Sequence, residues 1–181
     1  MSIRKILRYP HPILREPTKS FFELLSTEEC PFPRLQDMED TLIASDRGAA
    51  LAANQIGWSC RAFVLNRFLL KKDDDPAMHD LPVIVLDPVI TPIGEDLLSA
   101  EEGCLSFPGI WLSVLRPSRV NVTYRTFVDS QYIDVQRELA GFWARVFCHE
   151  VDHLDGKLFI DFFQKKEQEA IRKKMTAHLY R

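Results

Sequence analysis

The string His149-Glu150-Val151-Asp152-His153 restricts what this chain can become more than any other segment. Residues four apart on an α-helix share a face, so His149 and His153 can offer two imidazole nitrogens to one ion only if this stretch is helical. Glu150 lies one step around, within reach of a water on such an ion, where a proton acceptor is needed. Phe142, Val146 and Phe147 precede the histidines, which predicts a buried central helix from about Ala140 to Leu154, with Gly156 just beyond its end. Taken alone, the string suggests a zinc peptidase, or a surface helix whose polar residues fall in this order by chance.

A mononuclear site of this kind needs a third protein ligand. Cys104, inside Glu102-Gly103-Cys104-Leu105-Ser106, is the best candidate: a thiolate binds borderline and soft divalent metals well, and a set of two histidines and one cysteine leaves a fourth position open. Cys148 adjoins His149, but neighbouring residues on a helix diverge by about 100°, so it is expected to pack rather than ligate. The four cysteines, Cys30, Cys60, Cys104 and Cys148, show no CxxC spacing, which indicates neither a disulfide framework nor a structural zinc clip. A reducing compartment suits Cys104, because oxidation would remove a ligand.

Three segments, Gly48-Ala49-Ala50-Leu51-Ala52-Ala53-Asn54-Gln55, Glu102 to Ser106 and His149 to His153, resemble in order and spacing the signature motifs of the peptide deformylase family. The likeness runs from Tyr9-Pro10-His11-Pro12-Ile13-Leu14-Arg15 through Gly141-Phe142-Trp143-Ala144-Arg145 to His153-Leu154-Asp155-Gly156. It implies a metal-dependent hydrolase that removes the formyl group from the N-terminal formyl-methionine of nascent or newly made polypeptides and releases formate. On that reading Cys104, His149 and His153 hold one divalent ion, with iron(II) native and zinc, nickel or cobalt as alternatives. Glu150 takes a proton from the attacking water and returns it to the departing amine. The Gln55 side-chain amide and the Leu105 backbone N–H donate to the developing oxyanion.

The resemblance also implies that the peptide substrate lies as an added strand along the backbone of Gly48, Ala49, Ala50 and Gly103. Its methionine side chain would enter an apolar pocket lined by Phe142 and Val146. Arg116 is implied as the cationic partner that a buried Asp152 would need. The chain departs from the family at three places: Cys148 stands where relatives usually carry Gln, Ala50 where they carry Gly, and Asn54 where many carry Pro. None removes a metal ligand, the acid/base or the oxyanion donor. The competing readings are a zinc peptidase, disfavoured by Cys104 and Gln55, and a catalytically silent protein that binds formylated termini or the ribosome, which would have no need of Glu150.

With 181 residues, 46% of them hydrophobic and 27% charged, the chain is expected to form one soluble globular domain over 1–181. No apolar run approaches a membrane span, and Met1-Ser2-Ile3-Arg4-Lys5 is followed by no signal-peptide core, so a cytoplasmic monomer is expected. A helix is predicted at Pro33 to Ile43 and strands at Arg61 to Leu65, Val83 to Ile90, Arg119 to Tyr124 and Gln131 to Gln136, with a solvated loop at Lys71 to Pro76. These elements predict an α+β domain, with antiparallel or mixed sheets packed around the central metal-binding helix and a C-terminal helix at Gln164 to Tyr180. Residues 164–181 carry six basic against two acidic side chains, so this tail is +4 and the remainder −7 within a net charge of −3. If Ile171, Met175 and Leu179 dock on the body, then Lys166, Arg172, Lys173 and Lys174 face outward. Such a ridge could meet ribosomal RNA near the peptide exit site.

Overall fold

A computed structural model describes residues 2–26, 31–45 and 48–179, with side chains through Met175. In chain order its elements are helices α1 (Phe21–Leu25) and α2 (Phe32–Ala44), strands β1 (Ala50–Ala52) and β2 (Ala62–Leu65), helix α3 (Arg67–Lys71), strands β3 (Ile84–Pro92), β4 (Leu97–Cys104), β5 (Phe107–Pro117), β6 (Arg119–Val128) and β7 (Gln131–Ala140), and helices α4 (Gly141–Leu154) and α5 (Lys165–Leu179). Five strands form one antiparallel sheet in the order β1-β2-β3-β6-β7, while β4 and β5 pair separately as a hairpin. No helix among the described residues is long and apolar enough to cross a membrane.

Period-two burial sets how the sheet packs. In β6, Val120, Val122 and Tyr124 turn inward and meet Trp143 and Phe147 of α4 in the largest hydrophobic cluster. Strand β2 is buried on both faces: Phe63 and Leu65 join that cluster, whereas Ala62 and Val64 join a second one with Leu35, Met38 and Leu42 of α2. The sheet is thus covered by α4 on one face and by α2 on the other at its β1–β2 end. A third cluster gathers Phe107, Ile110 and Val114 of β5, Phe159 and Ile160, and Ile171 and Met175 of α5. The C-terminal helix docks through Ile171 and Met175 of the expected apolar stripe, and Lys165, Lys166, Lys173 and Lys174 stay exposed. Cys30, the Leu179 side chain, Tyr180 and Arg181 lie outside the described residues.

Two differences from the sequence expectation have physical causes. In the β4–β5 hairpin the alternation is blurred: β5 turns Ile110 and Val114 inward, but Trp111 and Leu115 of the same strand and Leu97 of β4 are exposed while Glu102 and Arg116 are buried, so apolar alternation does not mark it. The segment Lys71 to Pro76 is not merely solvated: the Asp73 carboxylate accepts a 2.7 Å hydrogen bond from the Trp143 indole and so ties this loop to α4.

Candidate functional site

Helix α4 buries Ala144, Phe147 and Leu154 completely and carries His149, Glu150 and His153 into the interior with them. Strand β4 delivers Cys104 at its end, where the Leu105-Ser106 turn shifts the hairpin register between Gly103 and Cys104. The ligand atoms of Cys104, His149 and His153 all lie within 4.8 Å of one another, and Cys104 Sγ is 3.2 Å from His153 Nε2. A thiolate and two imidazoles converging in this way suit a borderline divalent ion with one coordination position left open.

What orients this set is Glu102, which the sequence reading did not assign to the site. Residues two apart on a strand share a face, so Glu102 points inward with Cys104. One carboxylate oxygen lies 2.9 Å from His149 Nδ1, which directs Nε2 toward the ligand cluster. Arg116 binds the same carboxylate through Nε at 2.8 Å and Nη2 at 3.0 Å, and Arg145 Nη1 approaches it at 2.7 Å. The implied Arg116–Asp152 pair is present through the remaining Nη1, but Glu102 takes the larger share of Arg116. Burial alone would raise the Glu102 carboxyl; the hydrogen bonds from His149 and Arg116 outweigh it and hold the group at about 2.

The other titratable groups divide by partner. Burial pushes Glu150 up to about 7, against the pull of the His149 charge and the Ala52 N–H, and its Oε2 finds no hydrogen-bond partner among the described residues. His149 is raised to about 10, since its contacts with Cys104 and Glu102 overcome the effect of burial; a cation at the same point competes with that proton. His153 is driven well below its ordinary range, chiefly by burial. Cys148 packs against the main cluster, its thiol raised to about 11 by burial, and it stands outside the ligand set.

Gln55 sits in the 3-10 turn Ala53–Ile56 that follows β1. Its carbonyl oxygen accepts from the Ala52 N–H at 2.9 Å, and its amide nitrogen donates to Ser106 Oγ at 3.1 Å while lying 3.8 Å from Cys104 Sγ. The amide is therefore clamped with its donor toward Cys104 of the candidate ligand set. Next to it, the buried Asn54 donates at 2.6 Å to the His153 carbonyl, tying this turn to the end of α4. Sequence reasoning took Asn54 only as a departure from the family; nothing in the residue order marks its long-range partner.

The structure separates the implied substrate-binding residues. The Ala49 carbonyl accepts from Asn66 N–H at 2.8 Å, and the Gly48 carbonyl from the Asn66 amide at 2.9 Å, so both face β2 rather than open space. Antiparallel pairing alternates direction, which leaves the N–H and C=O of Ala50 on the free edge of β1. Gly48 instead gives close packing: a Cβ there would stand 2.5 Å from Leu42 Cδ1 and 2.9 Å from Leu105 Cδ1. Among the described residues β4 pairs only with β5, so Gly103 lies on a second open strand, and Gln55 brings the two strands together at Cys104. Val146 is buried in the main cluster three residues before His149, whereas Phe142, seven before, is 55% exposed with its ring edge-on to Trp143.

Comparison with known proteins agrees with this geometry. A family model described as polypeptide deformylase matches residues 3–169. A peptide deformylase of Chlorobium limicola is 38% identical over 143 residues, covering 79% of this chain and 72% of that protein. Among solved structures, peptide deformylase from Ehrlichia chaffeensis in complex with actinonin superposes with a TM-score of 0.82 at 26% identity, covering 98% of each chain. The enzyme from Thermus thermophilus gives 0.75 at 35% identity, covering 98% of this chain and 96% of its own. A buried pair of histidines four apart, a cysteine from a neighbouring strand and a match over nearly the whole length lead to one conclusion: this chain belongs to the peptide deformylase family.

Proposed function

We propose that this protein hydrolyses the formyl group from N-formylmethionyl peptides and releases formate and a free amino terminus. The observation that carries the reading is the donor set of Cys104, His149 and His153 with a buried, near-neutral carboxyl, Glu150, beside the clamped Gln55 amide. A divalent ion held by the three ligands supplies Lewis acidity and makes hydroxide available near neutral pH. Glu150 accepts the proton of the attacking water and delivers it to the amine nitrogen as the C–N bond breaks; a buried carboxyl with an unpartnered oxygen suits both transfers. The Gln55 amide and the Leu105 backbone N–H donate to the oxygen on which charge develops. Ala50 and Gly103 pair with the peptide backbone, Gly48 and Ala49 frame the edge, and Val146 with Phe142 flanks the methionine side chain.

Iron(II) is the native ion on this reading, since cellular availability rather than affinity selects among metals that a thiolate and two imidazoles accept; zinc, nickel and cobalt are the alternatives. The protein works in the cytoplasm, where Cys104 stays reduced, as a monomer whose α5 ridge meets the ribosome. The decisive experiment purifies the protein without oxygen, measures its metal content, and assays formate release from formyl-Met-Ala-Ser beside amine release from unformylated peptides. Formate release is the expected result. Cleavage between amino acids would make the protein a zinc peptidase, and binding of formyl peptide without turnover would make it a silent binder.

A further inference from the structure

Trp111 is the most exposed aromatic side chain of the molecule's described core elements, at 63%, yet it is not loose. It stands directly across the hairpin from Gly103, and its six-membered ring covers that residue: a Cβ built on Gly103 would lie 2.9 Å from Cη2 and Cζ3 of the indole. One face of the ring therefore rests on the backbone that precedes the metal ligand Cys104, and any side chain at position 103 would displace it. The other face is open. Among the described residues no aromatic ring and no cation stacks on it.

Partnered strand residues share a face, so the indole projects from the side of the hairpin opposite to that carrying Glu102, Cys104 and the histidines. A peptide added along β4 alternates its own side chains in the same way. With the formyl-methionine side chain turned inward toward α4, the side chain of the next residue turns outward, beside Gly103. An adjacent strand lies about 4.8 Å from the β4 backbone, so a side chain that turns outward from it projects beside the ring covering Gly103.

We propose that Trp111 is a specificity-determining residue: it forms the platform for the side chain of the second residue of the substrate and favours a large apolar or aromatic group there. This rests on the deformylase reading above and adds a selectivity that the metal site alone would not give. Gly103 then has two functions, presenting its backbone to the peptide and leaving room for the ring.

The test compares kcat/KM of the metal-loaded enzyme on formyl-Met-Xaa-Ser peptides with Phe, Leu, Gly or Asp as Xaa, for the wild type, Trp111→Ala and Trp111→Phe, with metal content measured for each. The wild type is expected to favour Phe over Gly by about threefold to tenfold, the range that one aromatic contact supports. Trp111→Ala should bring that ratio close to one, chiefly through KM of the Phe and Leu peptides, and Trp111→Phe should restore part of it. An unchanged ratio in Trp111→Ala, or an equal loss on all four peptides, overturns the platform and leaves the indole as packing over Gly103. Absence of formate from every peptide with the wild type would overturn the deformylase reading itself, a result distinguishable from loss of selectivity alone.

Discussion

Glu150 and Glu102 are both buried carboxyls within one site, yet their surroundings push them in opposite directions, which fits the different roles proposed for them. Glu150 has an unpartnered oxygen and is raised toward neutrality, which suits a group that must take up and give back a proton. Glu150→Gln keeps the shape and should retain the ion while formate release falls by about 100-fold or more; metal analysis alongside the assay separates this from loss of the site, as Cys104→Ser would cause. Glu102 faces Arg116, Arg145 and His149, so it stays charged. Glu102→Gln leaves the Arg116 and Arg145 guanidiniums without their anion and should cost about 3–5 kcal/mol of stability near neutral pH, as removing one member of a buried ion network does. Because the Glu102 carboxyl is depressed from 4.5 to about 2, its contribution is complete above pH 4.5 and disappears as the pH falls through about 2. Unfolding midpoints of wild type and Glu102→Gln should therefore converge on acidification; a gap that stays constant across this window would remove Glu102 as its source.

Among the elements, legibility followed the chemistry of the buried face. Helix α4 and strands β2, β3 and β6 bury ordinary apolar side chains at regular spacing, and the sequence shows them, as the interval of four shows that His149 and His153 share one face of α4. The β4–β5 hairpin turns a carboxylate and a guanidinium inward and leaves leucines and a tryptophan outside, so its role in orienting His149 is invisible before the chain is folded. Asn54 and Asn66 escape for a related reason: each acts through a hydrogen bond to distant backbone, and local order does not record a partner 99 residues away. The indole bond from Trp143 to Asp73 belongs to the same class, and it offers a direct check of how loop and helix are coupled. Trp143→Phe retains most of the buried ring and removes only the donor, so it should lower stability by about 1.5–3 kcal/mol, the range for a hydrogen bond to a charged group. Equal denaturation midpoints for the two proteins would mean that the tie contributes nothing.

For the molecule as a whole, charge is segregated in a way that the catalytic site does not require. The chain carries −3 overall while residues 164–181 carry +4. Helix α5 sets Ile171 and Met175 against β5 and leaves Lys165, Lys166, Lys173 and Lys174 exposed, with Arg172 reaching over the Tyr9 ring. Docking and charge display thus use largely different residues of one helix, so Lys166, Lys173 and Lys174 can be altered without touching its apolar seat. An enzyme that meets nascent chains gains from a surface that holds it near ribosomal RNA, and such binding releases counterions from each phosphate neutralised. Co-sedimentation with ribosomes should therefore be strong at low salt, fall steeply as salt rises, and be lost when Lys166, Arg172, Lys173 and Lys174 are all changed to Glu. Formate release from a short peptide should persist in that variant, because none of the four residues belongs to the candidate site. Equal co-sedimentation of the two proteins, or none by the wild type at low salt, would exclude the ribosomal role and reduce the ridge to a solvated helix face.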